Sequence, residues 1–263
     1  MKISIVTLSF NQLNFLKEAI DSVLSQGYPC LEYIVVDPGS TDGSRELIKS
    51  YGNRITHVIF DPDRGAADGL NRGFSRATGD IYGFLNADDI LYPGSLNHVA
   101  QFFAAHPDCD MAMGNGFKID GQGRKTRHYI ARDFSVRRFF YGGTQWLQQS
   151  TFFRAKAYQQ SPRFNLDNRT CWDGELFVHI ANQGAKIGYI PQDLGGFRIH
   201  EASISGSGRM NEQYQQDCRR IFRQIMQHDW KASDEVLSLF YRAEGILKGL
   251  GKRNQLPARK GAA

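Results

Sequence analysis

The first hundred or so residues alternate between two hydrophobic periods, and this alternation limits the possible folds more than any other property of the sequence. Dense apolar runs occur at residues 3–8, 31–36, 56–60 and 81–85. Between the first two, Leu16, Ala19, Ile20, Val23 and Leu24 recur at helical spacing, and Leu70, Phe74 and Ala77 do so before the fourth. Strands separated by helices do not pair through tight hairpins. They form a parallel sheet with helices over its faces. The expected class is therefore α/β, with a Rossmann-like, mostly parallel sheet flanked by helices.

Within that frame, residues 79–91 (Gly-Asp-Ile-Tyr-Gly-Phe-Leu-Asn-Ala-Asp-Asp-Ile-Leu) do most to locate a site. Gly79 ends the preceding helix, because glycine takes a left-handed cap at no cost. Ile81, Phe84 and Leu85 form a buried strand, and Asn86, Asp88 and Asp89 emerge at its carboxyl end, where ligands bind in open α/β sheets. Oxygen-bearing side chains at 86 and 88 point to one face of an extended chain. They suit Mg²⁺ or Mn²⁺, although a solvated acidic turn has the same composition. The first strand–helix turn, residues 7–11, holds no glycine, and no Gly-x-x-x-x-Gly-Lys-[Ser/Thr] occurs. The dinucleotide-binding and P-loop readings thereby lose their main signals.

The chain has 263 residues, which suits one large domain or one domain with an appendage. It contains no run of 18 apolar residues, so no spanning helix is expected. Met1 and Lys2 lead straight into a short strand containing Ser and Thr, too short and polar for a signal-peptide core, so a cytoplasmic protein is expected. Cys30, Cys109, Cys171 and Cys218 form no Cys-x-x-Cys and read as reduced, mostly buried thiols. Residues 209–263 carry 11 of the 32 Lys and Arg but 6 of the 27 Asp and Glu, which accounts for the whole net charge of +5. No binding motif accompanies that charge, so nucleic acid is not an expected partner.

Six segments within residues 2–205 together resemble family 2 glycosyltransferases of the GT-A fold. Asn86-Ala87-Asp88 stands where that family has Asp-x-Asp. Thr7-Leu8-Ser9-Phe10-Asn11 is similar to its opening Thr-x-Ser-x-Asn. Residues 35–43 are similar to Val-Asp-Asp-Gly-Ser-Thr-Asp, with Pro38 as a departure, and residues 61–73 to Asp-x-Gly-x-x-Asp-Ala-x-Asn-x-Gly. Trp172-Asp173 lies where the family has Glu-Asp or Ser-Asp. Residues 196–205 resemble Tyr-Arg-x-His-x-x-Ser-x-Ser.

The resemblance implies a GT-A enzyme that moves a sugar from a UDP-, GDP- or dTDP-sugar to an acceptor hydroxyl with inversion. Asp88, helped by His200, would hold a divalent metal, Mn²⁺ or Mg²⁺. Thr7, Ser9, Asn11, Asp37, Arg64, Asp68 and Asn86 would bind the nucleotide, with Asp37 on the base. Arg64 or Arg72 would pair with the diphosphate, and Asn71 would support the loop. Asp173 would be the catalytic base, and residues 148–154 would line the donor or acceptor sugar. The implied acceptor is a glycan or lipid-linked glycan in cell-surface polysaccharide or glycolipid assembly, with the enzyme peripheral on the inner face of the membrane. Local roles stay open beside these: a capped turn for 37–43, a solvated helix end for Arg64, a charge against the helix dipole for Asp173, and a structural His200. Two other functions stay open as well. A nucleotidyltransferase would need a glycine-rich basic signature after the first strand, and a non-catalytic nucleotide- or carbohydrate-binding module would need no base.

The expected organisation is a catalytic domain at 1–208, followed by a basic helical segment at 209–263. The catalytic domain divides into a nucleotide-sugar-binding half at 1–117 and an acceptor and catalytic half at 118–208. Residues 118–138 read as a mobile connection or a short excursion from the core, 186–190 and 197–199 as separate strands, and 201–208 as a flexible Ser/Gly loop. Helices are expected near 212–227 and 234–247. Val236, Leu239, Phe240, Ala243, Ile246 and Leu247 repeat at helical spacing with Arg242 and Lys248 among them. That pattern fits either packing on the core or contact with an anionic membrane surface.

Overall fold

Each apolar run of the first half becomes a strand. In the computed structural model, which describes residues 1–201, 203, 206 and 210–253, β1 (Ile3–Leu8), β2 (Leu31–Val36), β3 (His57–Ile59) and β4 (Ile81–Asn86) pair in parallel in the order β3-β2-β1-β4. The crossover helices α1 (Leu13–Leu24), α2 (Ser44–Ser50) and α3 (Ala66–Arg76) bury the residues that carried the helical period, including Leu16, Ile20, Ile48, Leu70 and Phe74. One apolar layer gathers Ile3, Ile5, Leu16 and Val35, and the other gathers Val6, Ile34, Leu70 and Phe74. Each such side chain contributes about 1.5–3 kcal/mol of burial. Helix α3 lies close on β1, since a Cβ at Gly73 would come within 2.5 Å of Val6. Glycine is what permits that approach.

The sheet then continues β4-β8-β6-β9-β5, with β7 on the free side of β6. These are β5 (Ile90–Leu91), β6 (Met111–Ile119), β7 (Lys125–Tyr129), β8 (Thr151–Arg154) and β9 (Ile187–Arg198). Strands β6 and β9 are parallel, while β8, β7 and β5 join antiparallel to their neighbours. Helices α4 (Ser95–Ala105), α5 (Val136–Tyr141), α6 (Ala155–Gln160) and α7 (Trp172–Asn182) connect this half.

Two segments differ from expectation. Residues 118–138 are not a mobile connection. They finish β6 and fold back as β7, with Phe117 opposite His128, around a turn where Asp120 accepts from the backbone of Gln122 and Arg124. Strand β7 is solvent-facing and charged, so it carries no apolar period. The two strands expected at 186–190 and 197–199 are one strand, β9. Its apolar signal breaks at Pro191 and Gly195-Gly196. Pro191 falls in a register shift opposite Gly114 and Asn115, a place where a sheet tolerates proline.

The C-terminal segment splits in behaviour. Helix α8 (Asn211–Met226) packs on α7 and buries Ile221 and Phe222. Helix α9 (Ala232–Arg253) packs on α5, where Asp234 accepts from the Tyr141 hydroxyl at 2.7 Å and Glu244 pairs with Arg138 at 2.6 Å. Its apolar stripe faces solvent, with Val236, Leu239, Phe240, Ile246 and Leu247 each 64–68% exposed. Among the described residues no helix is long and apolar enough to cross a membrane. Most of the Ser/Gly loop, namely residues 202, 204, 205, 207 and 208, lies outside the described residues.

Candidate active site

The carboxyl ends of β1, β2 and β4 open on a cavity of about 720 Å³, within the range of small-ligand sites. Ser9, Pro38, Asn86 and Asp88 line it from the strand ends, and Trp172 and Asp173 from the first turn of α7.

Adjacent carboxylates at the end of β4 are made different by their surroundings. Asp89 is buried; its Oδ1 accepts from the Arg198 backbone at 2.8 Å, and its Oδ2 accepts from Gln149 Nε2 at 2.6 Å and Asn86 Nδ2 at 3.1 Å. Burial first, and then the charge of Asp88, push the Asp89 carboxyl well up. Asp88 instead lines the cavity, with Oδ2 3.1 Å from His200 Nε2. The imidazole packs on the Phe15 ring at 4.6 Å, and its backbone carbonyl accepts from the Ser203 hydroxyl at 2.8 Å. Arg198 ties this corner together. Fully buried, it donates to the Asp88 carbonyl at 2.7 Å and pairs with Glu18 at 2.6 Å. Sequence reasoning quoted Arg198 within a segment and gave it no role, because a single buried arginine leaves no periodic trace.

A carboxylate and an imidazole are donors that a divalent ion such as Mn²⁺ accepts, and a diphosphate supplies further oxygens. Asp88 and His200 therefore fit the metal that the fold implies. Among the described residues no group of three or more His, Cys, Asp and Glu converges, so the side chains alone do not cage an ion.

Asp173 sits in the first turn of α7, its Oδ1 accepting from the Gly174 N–H at 2.8 Å. Burial pushes its carboxyl up to about 6 against that hydrogen bond. The helix is held from behind through Glu175. Its two oxygens accept from Arg220 of α8 at 2.7 and 2.8 Å, and from Asn165 and Asn168 at 3.0 and 2.6 Å. Burial alone would raise the Glu175 carboxyl, but Arg220 and the two amides hold it below its usual value.

Other expected site residues lie behind the cavity wall. Asp37 is fully buried, and its carboxylate already accepts from the hydroxyls of Ser9 and Ser40, the N–H groups of Gly39 and Ser40, and Arg45 Nε. It builds the 37–43 turn. Arg45, which the sequence did not single out, also donates to the carbonyls of Asp37 and Phe60. Asn11, at φ 52°, accepts from Thr41 N–H at 2.9 Å and so locks the first loop to that turn. Thr7 is buried and accepts from the Tyr33 hydroxyl at 3.0 Å, so it does not reach the cavity. Asp68 accepts from the Arg64 N–H at 3.0 Å and pairs with Arg72 at 3.2 Å. The Arg64 side chain stays exposed between two lining residues, Asp63 and Gly65. Asn71 bonds the backbone of Phe164 and the Tyr158 hydroxyl, so its amide ties α3 to the 158–164 segment. Ser9, Asn86, Asp88, His200 and Asp173 are thus brought together, while Thr7, Asn11, Asp37 and Asp68 frame them.

Residues 4–166 match Glycosyl transferase family 2. The chain belongs to this family. Within it, the uncharacterized glycosyltransferase YibD of Escherichia coli is 32% identical over 257 residues, covering 90% of this chain and 73% of its own length. Across the curated relatives it matches, the chain spans between 19% and 73% of their length. Two solved structures share the GT-A fold. Residues 1–349 of Staphylococcus aureus TarS, in complex with UDP-GlcNAc, give a TM-score of 0.65 at 17% identity, covering 95% of this chain and 73% of that one. The mannosyltransferase PcManGT of Pyrobaculum calidifontis, in complex with GDP-Man and Mn²⁺, gives 0.66 at 16% identity, covering 100% and 76%. Membership makes the chain a nucleotide-sugar-dependent glycosyltransferase, and inversion is the general property of its family.

Proposed function

We propose that this chain transfers a sugar in one displacement from a UDP-, GDP- or dTDP-sugar to a hydroxyl of a glycan or lipid-linked glycan, in cell-surface polysaccharide or glycolipid assembly. The observation that carries the proposal is that Asp88 with His200, and Asp173, line or adjoin one cavity from the ends of β4 and β9 and from α7. Ser9 and Asn86 would face the nucleotide, and Arg64, between the lining residues Asp63 and Gly65, would pair with the diphosphate. Asp37 serves the base through the turn it builds, since its carboxylate is engaged by the protein. Asp88 and His200 would hold Mn²⁺ or Mg²⁺, which when bound offsets charge on the departing diphosphate. Asp173 removes the acceptor proton as the hydroxyl attacks. A carboxyl near 6 is mostly ionised at neutral pH yet more basic than an ordinary aspartate. The solvent-facing stripe of α9 supports a peripheral place on an anionic membrane.

The test is slow hydrolysis of a panel of nucleotide-sugars by purified protein, with and without chelator. Metal-dependent release of the nucleoside diphosphate is the expected result. Formation of sugar 1-phosphate together with the nucleoside triphosphate when pyrophosphate is added would point to nucleotidyl transfer, and a panel that binds without turnover would leave a binding module.

A further inference from the structure

The cavity face of the sheet continues outward past Phe197. Phe197, on β9, lines the cavity. Its register partner on β6 is Lys118, and the partner of Lys118 on β7 is Arg127. Register partners present their side chains to the same face of a sheet. Lys118 and Arg127 therefore share the face of Phe197. The opposite face is a separate cluster, where Phe117 stacks on His128 at 4.4 Å and Lys125 lies over Phe117 and Tyr92.

Carboxylates close by in the chain are already engaged. Asp120 pairs with Arg124 at 2.7 Å, and Asp193 with His128 at 2.7 Å. Among the described residues neither Lys118 nor Arg127 has an ion-pair partner; Arg127 instead lies over the Tyr129 ring at 4.8 Å, which keeps it on this face. Two unneutralised cations beside a cleft raise the local concentration of anions. The pair extends away from the diphosphate. That group belongs beside Asp88, which β9 reaches through Arg198; Lys118 lies one strand and Arg127 two strands outward from β9, the latter about 10 Å away at ordinary strand spacing.

We propose that the acceptor is anionic: a glycan or polyol chain bearing phosphate or carboxylate groups, one of which is bound by Lys118 and Arg127 while the accepting hydroxyl reaches Asp173. This rests on the transferase reading above and adds the acceptor's chemistry to it. Guanidinium and ammonium both pair with either oxyanion, so the test carries both.

Full-length protein is assayed by equilibrium dialysis against poly(glycerol phosphate), oligogalacturonate and a neutral malto-oligosaccharide, and then for donor consumption in their presence. The wild type is expected to bind at least one anionic chain and not the neutral one. The double variant Lys118→Ala/Arg127→Ala should weaken that binding about tenfold or more and raise KM for the anionic chain more than it lowers kcat. Lys118→Arg should retain binding, which separates charge from shape. The unfolding midpoint of the double variant reports that the fold is intact. Equal binding by wild type and double variant, or preference for the neutral chain, overturns the proposal. Lack of metal-dependent donor hydrolysis in the absence of any acceptor counts instead against the transferase reading.

Discussion

Two carboxylates in this chain differ from their neighbours because of what surrounds them, and the difference is testable one residue at a time. Asp88 faces the cavity beside His200, whereas Asp89 is consumed by Arg198, Gln149 and Asn86. Asp88→Ala is expected to abolish turnover and to remove the extra thermal stability that Mn²⁺ confers together with UDP or GDP. Full activity in excess chelator would refute that role. Asp173, with its carboxyl near 6, should give kcat/KM an acid limb with an apparent pKa near that value, falling about tenfold per pH unit below it. Asp173→Asn should lose ~10² or more in turnover with donor affinity nearly unchanged. The stability sign follows from the raised value. A carboxyl whose folded pKa exceeds its unfolded one favours folding only while protonated, and that contribution is lost as pH rises through 6. The Asn variant should therefore unfold at a higher temperature than wild type at pH 7–8, with the gap closing toward pH 4. Motif position singled out Asp88, His200 and Asp173, and the fold brings them to one cavity. Orientation did not follow: Thr7 turns to Tyr33, and Asp37 is engaged by Arg45, partners that no local pattern announces.

Elements were legible where one face of each was apolar. The parallel strands and their helices follow from their periods, because burial enforces the period. Strand β7 lies at the sheet's margin with a charged surface, and β9 is broken by Pro191 and two glycines, so neither has a period to read. The contact of α8 with α7 was also hidden. Arg220 looks like one basic residue among several in the last 55, yet it meets Glu175 beneath the turn that carries Asp173. Arg220→Ala leaves a buried carboxylate with only amide partners. It should cost about 3 kcal/mol, the low end for a broken buried pair, since Arg220 itself is a third exposed. Chemical denaturation at pH 7 checks the size, and a change under 0.5 kcal/mol would show that α8 is not coupled to α7 through this pair. The depressed Glu175 carboxyl adds a pH test. Its stabilisation is complete above the usual glutamate value and fades as pH falls through the lower folded one. The variant should lose that acid sensitivity.

The charge excess and the most exposed apolar side chains belong to the same C-terminal stretch of the sequence. The net +5 resides in residues 209–263, and the largest exposed apolar side chains of the described chain gather on α9. One face of that helix is already used, with Tyr241 stacked on Tyr141 and Glu244 on Arg138, which fixes how the other face is presented. A helix held in this way, with Lys248 tied to Asp133 and Glu244 on the packed side and an apolar stripe outward, has the form of an interfacial contact. On the proposed peripheral role, an anionic bilayer would cover the stripe, and each Lys or Arg near such a surface would contribute ~1 kcal/mol at low salt. Sedimentation with phosphatidylglycerol vesicles should therefore carry the protein down, phosphatidylcholine vesicles should not, and salt should release it over the range that screens surface charge. Leu239→Glu with Phe240→Glu should abolish the sedimentation without lowering the unfolding midpoint, since both side chains are already in water. A concentration-dependent dimer that the same pair of substitutions dissolves, with no vesicle binding at any salt, would assign the stripe to a second copy of the chain and remove the membrane from the account.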